Sequence, residues 1–155
     1  MMVIRPVRRT DVAQISRLYF ETVHRVNAHD YTASQIRAWA PRVYADGYWL
    51  RRWRPYRVKV AEEAGVVLGF AELAPKGLVD CFYVHHAWQR RGVGRALMAR
   101  LEREARQRGD RFLEADVSLT AEPFFRRVGF RLVRRQIKVY RNCAFKQAVM
   151  QKRLR

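Results

Sequence analysis

The stretch Leu78-Val79-Asp80-Cys81-Phe82-Tyr83-Val84, followed by His85 to Trp88 and then Gln89-Arg90-Arg91-Gly92-Val93-Gly94-Arg95-Ala96, decides how this chain folds. It opens as an apolar strand and passes through a short loop. From Gly92 the apolar period becomes helical, with Val93, Ala96, Leu97, Leu101 and Ala105 on one stripe that Gly109 closes. Glycines at the mouth of a helix let backbone N–H groups approach an anion without interference from a Cβ. Those N–H groups and the positive end of the helix dipole favour phosphate. Arg90, Arg91 and Arg95 add positive charge at the same place. The segment is not the dinucleotide-binding Rossmann pattern, because the third glycine is missing. Nor is it a P-loop, because no Lys-Ser/Thr follows the second glycine. Taken alone, the two-glycine turn reads more readily as a glycine-containing helix start with no ligand.

Working outward, Val3 to Val7 alternates as a short strand. Thr10 and Asp11 offer N-caps to a helix with Val12, Ile15, Leu18, Tyr19 and Val23 at helical spacing. Thr32 starts a second helix carrying Ile36 and Trp39, and Pro41 stops it. Tyr48 to Pro55 is a Trp/Arg-rich connection of no definite shape. Val58 to Ala61, Val66 to Leu73 and Leu78 to Val84 read as strands, divided by turns at Glu63-Ala64-Gly65 and Pro75-Lys76-Gly77. Phe112 to Val117 is a strand, Ala121 to Arg127 a short helix ending at Gly129, and Phe130 to Val139 and Ala144 to Leu154 are the last strands. The order β-αα-βββ-α-β-α-ββ predicts a single α/β domain with a mixed sheet over residues 1–155.

Composition narrows the functional classes. At 155 residues and 18.4 kDa the chain can bury a full core. No apolar run approaches the roughly 18 residues of a membrane span, and MMVIRPVRRTD reads as no signal peptide. Cys81 and Cys143 fit neither a disulfide framework nor a metal site, and His24, His29, His85 and His86 show no metal spacing. A cytoplasmic, metal-free protein is expected. The formal charge of +18 is nearly all arginine, spread from Arg5 to Arg155. It fits an arginine-rich proteome or an anionic partner. Nucleic acid stays open but is not favoured, because no RNP-type motif, zinc finger or helix-turn-helix pattern is present.

Gln89-Arg90-Arg91-Gly92-Val93-Gly94 resembles the (Q/R)-x-x-G-x-(G/A) signature of the GCN5-related N-acetyltransferase (GNAT) superfamily. Asp80-Cys81-Phe82-Tyr83-Val84 resembles that family's splayed fourth strand. Ala121-Glu122-Pro123-Phe124-Phe125-Arg126-Arg127-Val128-Gly129-Phe130 resembles its A-x-x-x-(F/Y)-x-x-x-G-F helix, and Ile4-Arg5-Pro6 with Thr10-Asp11 its first strand and cap. Asp30 to Ala40, Ser118 to Phe125 and Arg141-Asn142-Cys143 are similar to segments of small bacterial members of the YafP-like group.

The resemblance implies an acetyl-CoA-dependent N-acetyltransferase acting on a primary amine in a ternary complex, with a small-molecule acceptor expected first. Acetylation of a macromolecule (a protein amine or aminoacyl-tRNA) and a non-catalytic acyl-CoA- or nucleic-acid-binding module are the alternatives, and a homodimer is possible. By the resemblance, the main chain of Phe82, Tyr83 and Val84 holds the pantetheine arm and acetyl carbonyl, and the amides from Arg90 through Gly92, Val93 and Gly94 to Arg95, introduced by Gln89, hold the pyrophosphate. Ser118 stands where the family usually has Asn, and Phe124 and Phe125 lie along the cofactor's exit side. Phe125 stands where many members carry an acid Tyr, so Tyr83, Tyr140 or Cys143 would supply the proton, or water would.

Asp80 and Glu72 are the base candidates, because each is an acid within an apolar strand; the alternative for either is a side chain that faces solvent or pairs with an arginine. Asp80 shares parity with Phe82 and ranks first; His85 and His86 are fallbacks. His24, Tyr31, Gln35 and Trp39, with Trp49 and Trp53 nearby in sequence, are the acceptor-pocket candidates, suited to stacking or cation–π contact with an amine.

Overall fold

A computed structural model describes all 155 residues. The order is β1 (Val3–Pro6), α1 (Val12–Arg25), α2 (Ala33–Trp39), α3 (Asp46–Arg52), β2 (Arg57–Glu63), β3 (Val66–Leu73), β4 (Val79–Val84), α4 (Val93–Arg108), β5 (Phe112–Ser118), α5 (Glu122–Arg127), β6 (Arg131–Tyr140) and β7 (Cys143–Arg153), with short 3-10 turns between some of them. The α/β order read from the sequence holds, with one correction. Three helices, not two, separate β1 from β2, because the Trp/Arg-rich connection contains α3. This helix has no side-chain N-cap; Asp46 in its first turn and Arg51 and Arg52 in its last suit the dipole, and its buried Trp49 faces the core. By contrast α2 begins on a full capping box, in which Thr32 and Gln35 exchange side-chain and backbone bonds. Asp11 does not cap α1 with its side chain: its buried carboxylate accepts the Arg8 N–H and a bidentate pair from Arg5.

The strands form two antiparallel sheets, ordered β1-β2-β3-β4 and β5-β7-β6. The mixed character is confined to one place, the parallel bridge between Leu78 and Glu114 that joins β4 to β5. Beyond it β4 has no strand partner on its outer edge, so the two sheets part and a cleft opens between them. α4 covers one sheet face with Leu97, Leu101 and Ala105 over Leu68, Leu73 and Leu113. α1 and α3 cover the other, with Val12, Ile15, Leu18 and Trp49 over Val60 and Phe70. Each helix buries one apolar stripe, and removing that area from water stabilises the sandwich at about 25 cal/mol per Å². The β6–β7 hairpin turns at Arg141 and Asn142, both at positive φ, and ties back to α2 through the Arg141 bond to the Ala38 carbonyl.

Candidate active site

The cleft has a volume of about 1140 Å³ and is lined from both sheets. One arm is built from backbone. The β3–β4 register breaks between Ala71 and Leu73, and beyond the break Phe82 pairs with Ala71, Tyr83 with Phe70 and Val84 with Gly69. Backbone groups of this stretch that point away from β3 face the cleft. The Val84 carbonyl is held by the Thr22 hydroxyl at 3.0 Å and the Gln89 side-chain amide at 2.8 Å. The following loop turns through Arg90 and Gly92, with φ of 61° and 82°, into α4. No side chain caps α4, and its first internal bond is from Ala96 N–H to the Gly92 carbonyl. The N–H groups of Val93, Gly94 and Arg95 are left as donors at the positive end of a sixteen-residue helix.

The two glycines serve different ends. At Gly92 a Cβ would meet nothing within 4 Å, and glycine answers the left-handed φ instead. At Gly94 a Cβ would lie 3.0 Å from the Phe124 ring, so glycine there lets α5 approach. Arg90 and Arg95 line the cleft. Arg91 does not: its guanidinium sits over the Trp88 ring at 5.0 Å, which corrects its place among the charged side chains of the site. The Val93 side chain is buried in the core, leaving only its amide for a ligand. The Ser118 hydroxyl lines the cleft and accepts the Ala121 N–H at 3.1 Å. Phe124 faces Phe82 at 5.4 Å, while Phe125 is buried against Phe130 at 4.9 Å.

The other arm is a chamber of side chains drawn from distant parts of the chain. Glu72 is fully buried and receives only donors: Nε and Nη2 of Arg52, the Trp53 indole N–H at 2.8 Å and the Cys81 N–H at 3.2 Å. Asp80, more than a third exposed, takes the Tyr56 hydroxyl at 2.8 Å and Arg52 Nη2 at 3.1 Å on the same oxygen, Oδ2. Oδ1 has no protein partner in this arrangement. The two base candidates therefore differ: Glu72 is saturated and closed off, whereas Asp80 opens onto the cleft.

Burial alone would lower the Arg52 pKa, but Cys81, Glu72 and Asp80 outweigh it and hold the guanidinium charged. Burial and the bond to Asp80 push the Tyr56 phenol up to about 12. Burial pushes the Cys81 thiol and the Tyr83 phenol well above their ordinary values. The Tyr83 hydroxyl accepts the Trp39 indole N–H at 3.2 Å, and its ring lies edge-on to Tyr19 at 4.9 Å.

Of the acceptor candidates, Tyr31 and Trp39 line the cleft, 5.3 Å apart and edge to face. The Tyr31 hydroxyl accepts the Leu119 N–H. His24 and Gln35 do not line it. The His24 ring stacks on Phe20 and bonds to the Ala40 carbonyl at 2.7 Å, which ties α1 to the end of α2. Gln35 closes the capping box and donates to the Ala144 carbonyl of β7. His85 and His86 also lie outside it: His85 accepts the Ala87 N–H and His86 meets Glu21 at 3.2 Å. Cys143 likewise is absent from the lining, and its thiol approaches the Ser34 carbonyl. Reading the sequence alone overlooked Arg52, Tyr48, Tyr44 and Tyr19, all of which line the cleft. A signal existed: Tyr48, Trp49, Arg52 and Trp53 are spaced one, four and five apart, which is one face of a helix.

The family described as acetyltransferase (GNAT) domain matches residues 27–152. The chain is 29% identical over 133 residues to the uncharacterized N-acetyltransferase YafP of Escherichia coli strain K12, covering 86% of this chain and 83% of that one. It is 34% identical over 128 residues, 75% of this chain and 70% of the relative, to an L-methionine sulfoximine/L-methionine sulfone acetyltransferase of Salmonella typhimurium strain LT2. Among solved structures, a GCN5-related N-acetyltransferase from Rhodopseudomonas palustris superposes with a TM-score of 0.92 at 28% identity, over 98% of this chain and 95% of that one. yncA from Salmonella typhimurium, solved with its cofactor acetyl-CoA, superposes with a TM-score of 0.77 at 27% identity, over 99% and 94%. The chain belongs to the GNAT family of acetyl-CoA-dependent N-acetyltransferases. No helix is long and apolar enough to cross a membrane.

Proposed function

We propose that residues 1–155 act as one GNAT domain that transfers an acetyl group from acetyl-CoA to the primary amine of a small molecule, by direct attack in a ternary complex. One observation carries the reading: a single cleft joins a backbone-lined arm at Phe82–Val84 and Arg90–Arg95 to an aromatic chamber holding an acid. The residues of the first arm fit acetyl-CoA. The open N–H groups of Val93, Gly94 and Arg95, with Arg90 and Arg95 beside them, suit a pyrophosphate. Ser118 and the outer edge of β4 suit the pantetheine and acetyl carbonyl, whose oxygen gathers negative charge during attack and needs a fixed donor. Phe124 walls the exit.

In the second arm Asp80 accepts the ammonium proton, directly or through one water, while Arg52 and Tyr56 hold its other oxygen in place. Glu72 is the buried counter-charge of Arg52. The departing sulfur takes its proton from Tyr83, whose hydroxyl accepts from Trp39 and so keeps its own proton to give. Tyr31 and Trp39 wall the acceptor. No step needs a metal ion. The unpaired cysteines suit a reducing, cytoplasmic compartment, as in a bacterial enzyme. The Salmonella relative named for methionine sulfoximine and methionine sulfone is a precedent for a small acceptor.

A macromolecular acceptor is the second reading, favoured by β6, an edge strand with Arg131, Arg134, Arg135 and Lys138 all exposed. Release of free thiol from acetyl-CoA across a panel of small amines separates the two. Amine-dependent release supports the first. Tight acetyl-CoA binding with no release for any small amine, alongside salt-sensitive retention on RNA, transfers the assignment to the second.

A further inference from the structure

Glu72, Arg52 and Asp80 form a closed charge system at the end of the chamber, and nothing in the reaction itself requires a trio. Glu72 receives bonds only from donors, which a protonated carboxyl could not do with both oxygens, and it is fully buried. Asp80 receives two donors on Oδ2. One guanidinium between two carboxylates leaves the trio with one net negative charge. The remaining cations that line the cleft, Arg90, Arg95, Arg127 and Lys138, belong to the cofactor loop, α4, α5 and β6, and none pairs with the trio. The walls around the trio are aromatic. Tyr48 lies 5.2 Å from Trp49, Trp49 lies 5.3 Å from Tyr19, and Tyr19 lies 4.9 Å from Tyr83.

From this we infer, building on the small-amine reading, that the chamber selects an acceptor bearing a single positive charge on an aromatic or apolar body and rejects one with a carboxylate beside its amine, unlike the amino acids after which the Salmonella relative is named. Arg52 and Glu72 are the specificity-determining pair. An ammonium at Oδ1 of Asp80 brings the chamber to neutrality, and the π faces of the walls favour the same charge. A carboxylate brings a third anion to one guanidinium whose Nε and Nη2 already serve Glu72, Asp80 and the Cys81 thiol. Nη1 keeps free N–H groups, but a carboxylate there gains one hydrogen-bonded contact against repulsion from two fixed carboxylates, one of them fully buried.

The test uses acceptors matched in body and differing only in the carboxylate: phenethylamine against phenylalanine, and tryptamine against tryptophan, each followed as thiol release from acetyl-CoA by the full-length protein. The amine of each pair should exceed its amino acid in kcat/KM by roughly a hundredfold, the order of a like-charge penalty beside a buried carboxylate. Glu72→Gln, which keeps the shape and removes one negative charge, should shrink that ratio by about tenfold. The double variant Arg52→Gln/Glu72→Gln returns the chamber to one negative charge, removes the strain of an unpaired partner, and should restore the ratio.

Equal or better turnover of the amino acids by the wild-type protein overturns the inference while leaving the acetyltransferase reading intact. A ratio unmoved by Glu72→Gln overturns the assignment to charge. Turnover of no amine at all, with acetyl-CoA bound, defeats the small-amine reading on which the inference stands.

Discussion

The two arms of the cleft are made in different ways. The arm proposed to take the cofactor is a contiguous run, Phe82 to Ala96, which offers main-chain N–H groups at a strand edge and a helix start. The arm proposed to take the acceptor is made of side chains from α1, α2, α3, β3 and β4, and its central bond joins Arg52 to Glu72, twenty residues apart. Backbone geometry tolerates changes of side chain as long as φ and helix packing survive. A side-chain network depends on every partner. The first arm should therefore be robust and generic across acceptors, and the second fragile and specific.

Four substitutions or conditions probe this difference, in order of falling effect. Glu72→Ala leaves the Arg52 guanidinium with Asp80 alone and strands the Trp53 N–H, and should cost about 3–5 kcal/mol, the range for breaking a buried ion pair. Scanning calorimetry should read this as a fall in Tm of roughly 10 °C; a loss of a degree or two would mean that the network is not holding the chamber. Gly92→Glu places a carboxylate at the mouth of α4, where a Cβ meets no atom, so the fold should survive with a penalty of about 1–2 kcal/mol for the left-handed φ. Acetyl-CoA affinity should fall more than about a hundredfold by titration calorimetry, because like charges would face each other. Wild-type affinity in that variant would remove the loop from the binding site.

Asp80→Asn should lower kcat about a hundredfold, within the usual range for a lost general base, and leave the acetyl-CoA Kd unchanged. A parallel loss of cofactor affinity would erase the division between the arms.

The smallest effect is a control that touches neither arm. Burial raises the Asp11 pKa, but the bonds from Arg5 and the Arg8 N–H outweigh it and leave the carboxyl below its usual range; Arg5 holds Glu62 low as well. Depressed carboxylates contribute stability that is present above their ordinary values near pH ~4 and lost as pH falls through the folded values. Arg5→Gln should flatten the acid limb of the stability–pH curve and leave turnover at pH ~7 unchanged.

Much of the fold could be read from the sequence because its signals are local. The β3–β4 strands carry an apolar run, α4 carries a sustained stripe closed by Gly109, and α2 announces itself by the Thr32–Gln35 box. The helix α3 escaped because it is seven residues long and lacks a side-chain cap. The acceptor arm was legible only in part for a related reason. Periodicity names the inward face of a helix but not the neighbour it meets. His24 and Gln35 were placed on the correct helices, yet their side chains go to the Ala40 and Ala144 carbonyls. Asp80 and Glu72 looked alike as acids in apolar strands; the β3–β4 register break and Arg52, both non-local, make one open and the other closed. Phe125 packs into the core and also borders the cleft, while its neighbour Phe124 sets the identity of Gly94.

The central claim is that the donor binds through the main chain of Phe82–Val84 and Arg90–Arg95. Amide resonances of the ¹⁵N-labelled protein, followed while CoA is added, test it most directly. The largest shifts are expected at Val93, Gly94 and Arg95, with further shifts at Phe82 to Val84 and little change at Glu72 or Trp53. Saturable CoA binding that leaves the Val93, Gly94 and Arg95 amides unmoved would contradict it.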